Sequence, residues 1–186
     1  MNWFTLSIFS VFSLAAAELV QQNLLNKKNS FNEKASGVLT FLFQALLALL
    51  FVFALGLESQ LFDVFEKMTS LKILLVSFIS SIAMVLYLGS FRVKNISYSL
   101  VLVSFSAVVS SILGIIFFSE SAGVLKFLGI FLILSGIYIV NRNNAKLEKR
   151  HFWGLIAGAM FGVNYVLDKN IVQDINPLVY IFGLLF

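Results

Sequence analysis

The chain has 186 residues and no cysteine, and 60% of its residues are apolar whereas only 12% are charged. An ordinary soluble domain is about 45–50% apolar and about 25% charged, so a soluble globule is excluded. The lack of cysteine excludes disulfides, thiolate nucleophiles and thiolate metal sites. The net charge of +4 does not indicate nucleic-acid binding, because the basic residues lie between apolar blocks rather than on one face.

The apolar residues occur in blocks of about twenty, the length that a helix needs to cross about 30 Å of hydrocarbon. A backbone exposed to lipid must satisfy its own hydrogen bonds, so the predicted fold class is an all-α polytopic membrane protein. The predicted spans cover about 3–25, 36–57, 71–91, 96–118, 123–141 and 152–169. A seventh span begins near Pro177 and is cut short at Phe186.

Two segments allow a second interpretation. The first block, Trp3–Leu14 followed by Ala15-Ala16-Ala17, has the apolar region and small-residue site of a signal peptide but lacks a basic start. The connection Glu58–Ser70 is predicted to lie in the membrane interface, with a solvated loop as the alternative. Its apolar residues fall on one helical face: Leu61, Phe62, Phe65 and Met68.

The basic residues predict an orientation. Nine of them lie in the connections after spans one, three and five: Lys27, Lys28, Lys34, Arg92, Lys94, Arg142, Lys146, Lys149 and Arg150. Four lie on the other side: Lys67, Lys72, Lys126 and Lys169. By the positive-inside rule, the nine are cytoplasmic and the N-terminus is outside.

An internal repeat is predicted at an offset of 150 residues, which places Trp3 on Trp153 and Glu18 on Asp168. The first unit holds five spans, so a second copy enters the membrane from the opposite side, as in inverted-repeat transporters. The basic bias that follows span one is lost after span six, as inversion requires. The predicted divisions are a first repeat at 1–141, a basic linker at 142–151 and the truncated start of a second repeat at 152–186.

The stretch from Ser104 to Asn141 resembles the end of each five-helix repeat in EamA-type drug/metabolite transporters. It has a small-residue helix, an acidic connection and a glycine-containing helix, with Glu120, Gly129 and Gly136 at the matching positions. Phe152-Trp153-Gly154 looks like the start of that family's second repeat, whereas Gln21-Gln22 departs from its usual first helix. The resemblance implies a ten-helix secondary transporter of a small organic metabolite or drug-like solute, with no cofactor, in the membrane of a bacterial cell. The second repeat then needs about 105 further residues with four more spans, or a partner chain such as a second copy.

Glu18, Gln21 and Gln22 share one face of the first span, at i, i+3 and i+4. A carboxylate at this depth is costly unless it faces the bundle interior, so Glu18 is a candidate for proton coupling or substrate binding. Ala17-Glu18-Leu19 is also similar to the run around the membrane carboxylate of small multidrug-resistance exporters. The alternative is an interfacial carboxylate, since Glu18 is within snorkelling reach of the helix end.

Asn164, Tyr165 and Asp168 form the corresponding polar face of span six. Asp168 is the repeat counterpart of Glu18, and its alternative role is an interfacial ion pair with Lys169. Small residues are predicted to let helices pack closely: Ser110, Gly114, Gly129, Gly136, Gly154, Gly158 and Gly162. Glu120 is predicted to stabilise the dipole at the start of span five, and Tyr87 and Tyr98 to anchor at the interface.

No pattern for other chemistry is present in the sequence. A single histidine, His151, offers no pair of ligands for a metal, and there is no phosphate loop and no G-x-S-x-G or H-E-x-x-H motif. We therefore expect no enzyme activity and no metal. The partners that we expect are a small-molecule solute and membrane lipid. The alternative function is a non-transporting membrane subunit whose small-residue stripes bind partner helices.

Overall fold

A computed structural model describes residues 3–26, 32–65, 67–92, 96–142 and 148–184, and every secondary-structure element in these ranges is helical. The all-α fold class is thereby confirmed. The α-helices are α1 (Trp3–Asn26), α2 (Glu33–Ala54), α3 (Lys67–Ser90), α4 (Ile96–Val103), α5 (Phe105–Phe118), α6 (Val124–Arg142), α7 (Lys149–Ile171) and α8 (Pro177–Leu184). A 3₁₀ helix, Glu58–Phe65, lies between α2 and α3.

Three segments of the described chain are long and apolar enough to cross a membrane: Lys34–Ala54, Thr69–Ser90 and Tyr98–Phe118. The described apolar parts of α1 and α6 are shorter, at Phe12–Gln21 and Val124–Ile139. The helix α7 has 23 residues but is more polar than these spans, since it contains charged residues at both ends. The predicted helices are therefore present in the predicted order. Within the described residues, however, fewer than the six full spans expected are both long enough and apolar enough to cross a membrane.

The fourth predicted span, 96–118, is divided at Ser104 into α4 and α5. The Ser104 hydroxyl donates to the carbonyl oxygen of Leu100 at 3.2 Å, and the backbone N–H of Ser104 binds that same oxygen at 3.2 Å. A serine that shares its i−4 carbonyl in this way bends a helix. Ser104 keeps right-handed helical backbone angles, so the division is a local irregularity within one apolar segment.

The helix α7 lies at the centre of the fold, packed against α3, α4 and α5. A Cβ atom built on Gly158 would lie 2.7 Å from the carbonyl oxygen of Val103, and one on Gly154 would lie 3.0 Å from that of Ser99. One on Gly162 would meet Val109 at 2.6 Å. These glycines therefore let the backbone of α7 lie directly against α4 and α5.

On the side of α7 that faces α3, the large side chain of Trp153 packs against Gly89 of α3. A Cβ on Gly89 would lie 2.6 Å from the ring of Trp153, so only glycine leaves room for the indole there. Arg150 also lies over the Trp153 ring, with its guanidinium carbon 5.3 Å from the ring centre. The beginning of α7 is thus held against the end of α3.

The main apolar core joins α2, α3, α7, α8 and the 3₁₀ helix. It contains Val52, Val64, Ile73, Val76, Ile171, Ile175, Val179 and Tyr180. The helix α8 approaches the 3₁₀ helix closely, because a Cβ on Gly183 would lie 2.6 Å from Val64. The amphipathic segment after α2 forms a 3₁₀ helix that buries Val64 and leaves Phe62 and Phe65 exposed. The side chain of Met68 lies outside the described residues.

Charged and polar residues gather at the two ends of the bundle. At one end, Lys72 of α3 donates to Asn170 of α7, and the connection after α5 meets the end of α7. At the other end, Arg150 donates to the carbonyl oxygen of Gly89. The predicted cytoplasmic residues Lys27, Lys28, Lys94 and Lys146, and 143–147 of the predicted linker, lie outside the described residues.

The close contacts of the α7 glycines are tested by one glycine substitution on α7 and a matched control on α6. Gly158→Ala is expected to lower the free energy of unfolding by about 1–3 kcal/mol, because the new methyl group must push the α4 backbone away. Gly136→Ala is the control, since a Cβ there meets nothing within 4 Å among the described residues. The gain in helix propensity is common to both substitutions. Thermal unfolding in detergent measures both, and equal stability of the two variants would show that α7 does not pack as described.

Candidate functional site

A cavity of about 470 Å³ lies between α2, α3, α7 and α8. Most of its wall is apolar, formed by Phe41, Leu47, Ala48, Phe51, Phe161, Leu178, Ile181 and Leu184. The polar groups on the wall are Gln44, Ser80, Asp168 and Tyr180. An apolar cavity of a few hundred Å³ with a small number of polar groups is typical of a small-molecule site.

Asn164 lies beside this cavity rather than on its wall. The side chain is 3% exposed, and its Nδ2 donates to the hydroxyl oxygen of Ser80 at 2.7 Å. Its Oδ1 accepts no hydrogen bond from the described residues. A buried carbonyl oxygen that accepts no hydrogen bond lowers the stability of the fold by about 1–3 kcal/mol. The site therefore has an unused hydrogen-bond acceptor, Asn164 Oδ1, next to Ser80.

Asp168 accepts a hydrogen bond from the phenolic hydroxyl of Tyr180, across the turn between α7 and α8. The predicted alternative, an ion pair with Lys169, is not formed. Lys169 projects from the other side of α7 and pairs with Glu120 instead. Asp168 is therefore the carboxylate of the cavity, and its partner in the described chain is a neutral hydroxyl.

Glu18 accepts a hydrogen bond from the hydroxyl of Tyr87 on α3. Gln21, one turn further along α1, donates to the hydroxyl of Thr40 on α2 at 3.4 Å. The polar face of α1 thus meets α2 and α3, whereas the described side chains on its other faces are exposed. The side chain of Gln22 lies outside the described residues. Tyr87, predicted to be an interfacial anchor, is instead the partner of the candidate carboxylate.

The two candidate carboxylates have the same kind of partner at opposite ends of the bundle. Tyr87 lies one turn before the end of α3, whereas Asp168 lies one turn before the end of the antiparallel helix α7. The Tyr87 ring packs edge-on against Phe161, with centroids 5.8 Å apart, and Phe161 also lines the cavity. A single aromatic side chain therefore connects the Glu18 pair with the cavity that contains Asp168.

Tyr165 does not lie at the same cavity as Asn164 and Asp168. It is 54% exposed and lines a separate, smaller cavity of about 250 Å³ between α5 and α7. Ser110, Gly114 and Glu120 lie on the same wall, together with Lys169. The predicted polar face of α7 is thus divided between two cavities, because consecutive helical residues point about 100° apart.

Glu120 pairs with two lysines, Lys126 of α6 and Lys169 of α7. Hydrogen bonds first from Lys126 and then from Lys169 lower the pKa of Glu120 from 4.5 to about 2. The backbone N–H of Glu120 donates to the carbonyl oxygen of Gly114. The Glu120 carboxylate lies against the Cα of Gly114, in the space that a Cβ atom would occupy. Glu120 therefore ties the α5–α6 connection to the end of α7 and to Lys126 in the first turn of α6.

The predicted packing residues differ in their surroundings. Gly154, Gly158 and Gly162 contact α4 and α5, and Gly114 makes room for the Glu120 carboxylate. Ser110 donates to the carbonyl oxygen of Ala107 within its own helix at 3.2 Å. Gly129 and Gly136 have nothing within 4 Å of a built Cβ among the described residues, so their predicted role in packing helices together stays a prediction.

Sequence reasoning missed Gln44, Ser80 and Tyr180 as site residues. Gln44 interrupts the apolar run of α2, which is a usable signal. Ser80 is one of several serines on α3, and Tyr180 resembles an ordinary aromatic residue of an apolar helix. Only the packing of α3 against α7 and the hydrogen bond from Tyr180 to Asp168 distinguish these two.

Comparisons of the chain with family models, with curated proteins and with solved structures find no match.

The Glu120 cluster predicts a pH dependence. Because the folded-state pKa of Glu120 is lowered, its ion pairs stabilise the fold fully above about pH 4.5, and this contribution disappears as the pH falls toward 2. The stability difference between the natural chain and Glu120→Gln should therefore be constant above about pH 5 and shrink below it. Unfolding in detergent at several pH values measures this difference.

Lys126→Gln tests the cause of that dependence. It removes the larger of the two influences that lower the pKa of Glu120, so the Glu120 contribution should be smaller and should be fully lost at a higher pH. A Glu120→Gln difference that is the same at pH 3 and pH 7 would show that the two lysines do not hold the carboxylate ionised.

Proposed function

We propose that this chain forms part of a secondary transporter of a small organic solute, similar in architecture to the EamA-type drug/metabolite transporters and located in the membrane of a bacterial cell. The observation that carries the proposal is the cavity between α2, α3, α7 and α8. Two of its four helices, α2 and α3, contain segments that are long and apolar enough to cross a membrane, and its otherwise apolar wall has one carboxylate, two hydroxyls and an amide. Such a wall suits a solute that has both an apolar body and a few polar groups.

The binding contacts follow from the geometry. The apolar body of the solute packs against Phe41, Phe51 and Phe161. A donor group on the solute competes with Tyr180 for the Asp168 carboxylate, and another group binds Ser80, whose hydroxyl already accepts from Asn164. The Asn164 carbonyl gains a donor when a polar group or a water molecule enters beside Ser80.

The placement of the two carboxylates supports alternating access. Glu18 and Asp168 correspond under the offset of 150 residues, and Asp168 and Tyr87, the partner of Glu18, lie near opposite ends of the antiparallel helices α7 and α3. In an inverted repeat, corresponding residues of the first helices face the central pathway from opposite sides of the membrane. We therefore assign Asp168 to solute or proton binding at one side and Glu18 to the equivalent step at the other. The five-helix repeat at 1–141, and its inverted continuation from 152, belong to this proposal.

The first test is solute counterflow. The protein is expressed from its complete reading frame and reconstituted into vesicles that are loaded with an unlabelled amino acid, nucleoside, sugar or lipophilic cation. Transient accumulation of the labelled form of one class is the expected result. If none of the four classes is exchanged, the transport proposal fails and a subunit that binds partner helices is the better explanation.

A substitution that fills the cavity tests whether solute exchange takes place at this site. Ile181→Trp places an indole on the cavity wall and should abolish most of the counterflow, because it occupies the space of the solute. Leu50→Trp is the matched control, since Leu50 is 60% exposed on α2 and is not part of that wall. Equal counterflow in both variants would place the pathway elsewhere.

The carboxylates are tested by the response to an imposed pH gradient. Asp168→Asn keeps an acceptor for Tyr180, and Glu18→Gln keeps one for Tyr87, so both variants should fold. We expect each to lose gradient-driven accumulation while it retains counterflow, because exchange needs no net proton movement. The control is Asp174→Asn, in the exposed turn after α7. Normal gradient-driven uptake by both acid variants would remove these carboxylates from the mechanism.

A further inference from the structure

A second apolar space lies on the outside of the bundle and shares no wall residue with the proposed solute cavity. It is a groove of about 420 Å³ between α3, α5 and α7. Its wall is formed mainly by Leu75, Val76, Leu113, Phe117, Val163 and Leu167. Leu75 and Phe117 are 53% and 71% exposed, so the groove is open toward the surface that a bilayer would cover.

The groove has a polar mouth at one end. Lys72 lies there, and its ammonium group donates to the neutral amide oxygen of Asn170 at 2.9 Å. Within the described ranges, no carboxylate lies within ion-pair distance of Lys72. A second lysine, Lys169, lies 4.9 Å from the ring centre of Phe118, which also lines the groove, but its charge is paired with Glu120. Among the side chains that the structure describes, the mouth therefore presents one positive charge without a carboxylate partner.

The depth of the groove matches one leaflet of a bilayer. Along α7 its wall extends from Val163 to Ile171, a distance of eight helical steps of about 1.5 Å each, or about 12 Å. Half of a hydrocarbon core of about 30 Å is about 15 Å. A chain of methylene groups that begins at Lys72 would thus follow the groove toward the middle of the membrane.

We propose that this groove binds one acyl chain of an anionic phospholipid, with the lipid phosphate paired to Lys72 and hydrogen-bonded to the Asn170 amide. The unpaired lysine selects a negative headgroup, and the apolar wall selects a molecule with a hydrocarbon chain. A free phosphate ion would satisfy Lys72 and leave the groove unfilled. This site is independent of the proposed solute cavity, so it stands even if the protein carries no solute.

The test is native mass spectrometry of the detergent-solubilised protein, titrated with phosphatidylglycerol and with phosphatidylcholine of identical acyl chains. The first phosphatidylglycerol is expected to bind about fivefold more tightly than phosphatidylcholine, the preference that one lysine near a membrane surface gives. Lys72→Gln should remove this preference, and Lys72→Arg should keep it. The control Lys149→Gln removes one exposed charge at the opposite end and should leave the preference unchanged.

Two further measurements separate the acyl chain from the headgroup. Leu113→Trp fills the groove and should abolish the first adduct of both lipids, and thermal unfolding checks that the variant is folded. An excess of inorganic phosphate should leave the phosphatidylglycerol adduct in place. The proposal is overturned if Lys72→Gln keeps the preference, if folded Leu113→Trp keeps the first lipid, or if phosphate alone displaces it. Lys72 is exposed, so the test does not depend on the folding of the Leu113 variant.

Discussion

The contact between the glycine face of α7 and the backbones of α4 and α5 is the constraint on which the rest of the structure depends. Gly158 lies so near Val103, and Gly162 so near Ser106, that a single methyl group would fill the gap. Because lipid tails are as apolar as the side chains, helices in a membrane gain little from hydrophobic burial against each other. Close approach of backbones supplies dispersion contacts instead. The rotation of α7 about its own axis is therefore fixed by its glycine face, where no side chain separates it from α4 and α5.

Once that rotation is fixed, the polar residues of α7 have defined neighbours. Asn164 meets Ser80 of α3, and Asp168 meets Tyr180 of α8. Tyr165 turns toward α5 and Lys169 toward Glu120. The groups that line the proposed solute cavity are thus separated from the ion pair that ties the bundle together. This separation leaves Asp168 with a neutral partner, which a donor on a solute can replace more readily than an ammonium ion.

Local sequence patterns predicted the helix order and most helix boundaries within a few residues, because apolar runs of membrane length leave the backbone one solution. They also made Glu18, Asn164 and Asp168 candidates, since polar residues stand out in apolar helices. They failed where the answer depends on distant residues. Nothing near Glu120 predicts its pairing with Lys169, and nothing near Ser80 or Tyr180 predicts that α7 meets them. Gly129 and Gly136 have the spacing of packing residues, yet no described neighbour approaches them.

The two kinds of contact made by α7 respond differently to movement. Glycine contacts with α4 and α5 are dispersion contacts without direction, so a smooth helix face keeps much of them when it slides. The ion pair of Lys169 with Glu120 and the Arg150 contact with Gly89 are directional and lie at opposite ends of the helix. Sliding of α7 must break these end contacts first. In the proposed transport cycle, the balance between the conformations is therefore set by the two ends of α7, and the central glycine face permits the movement.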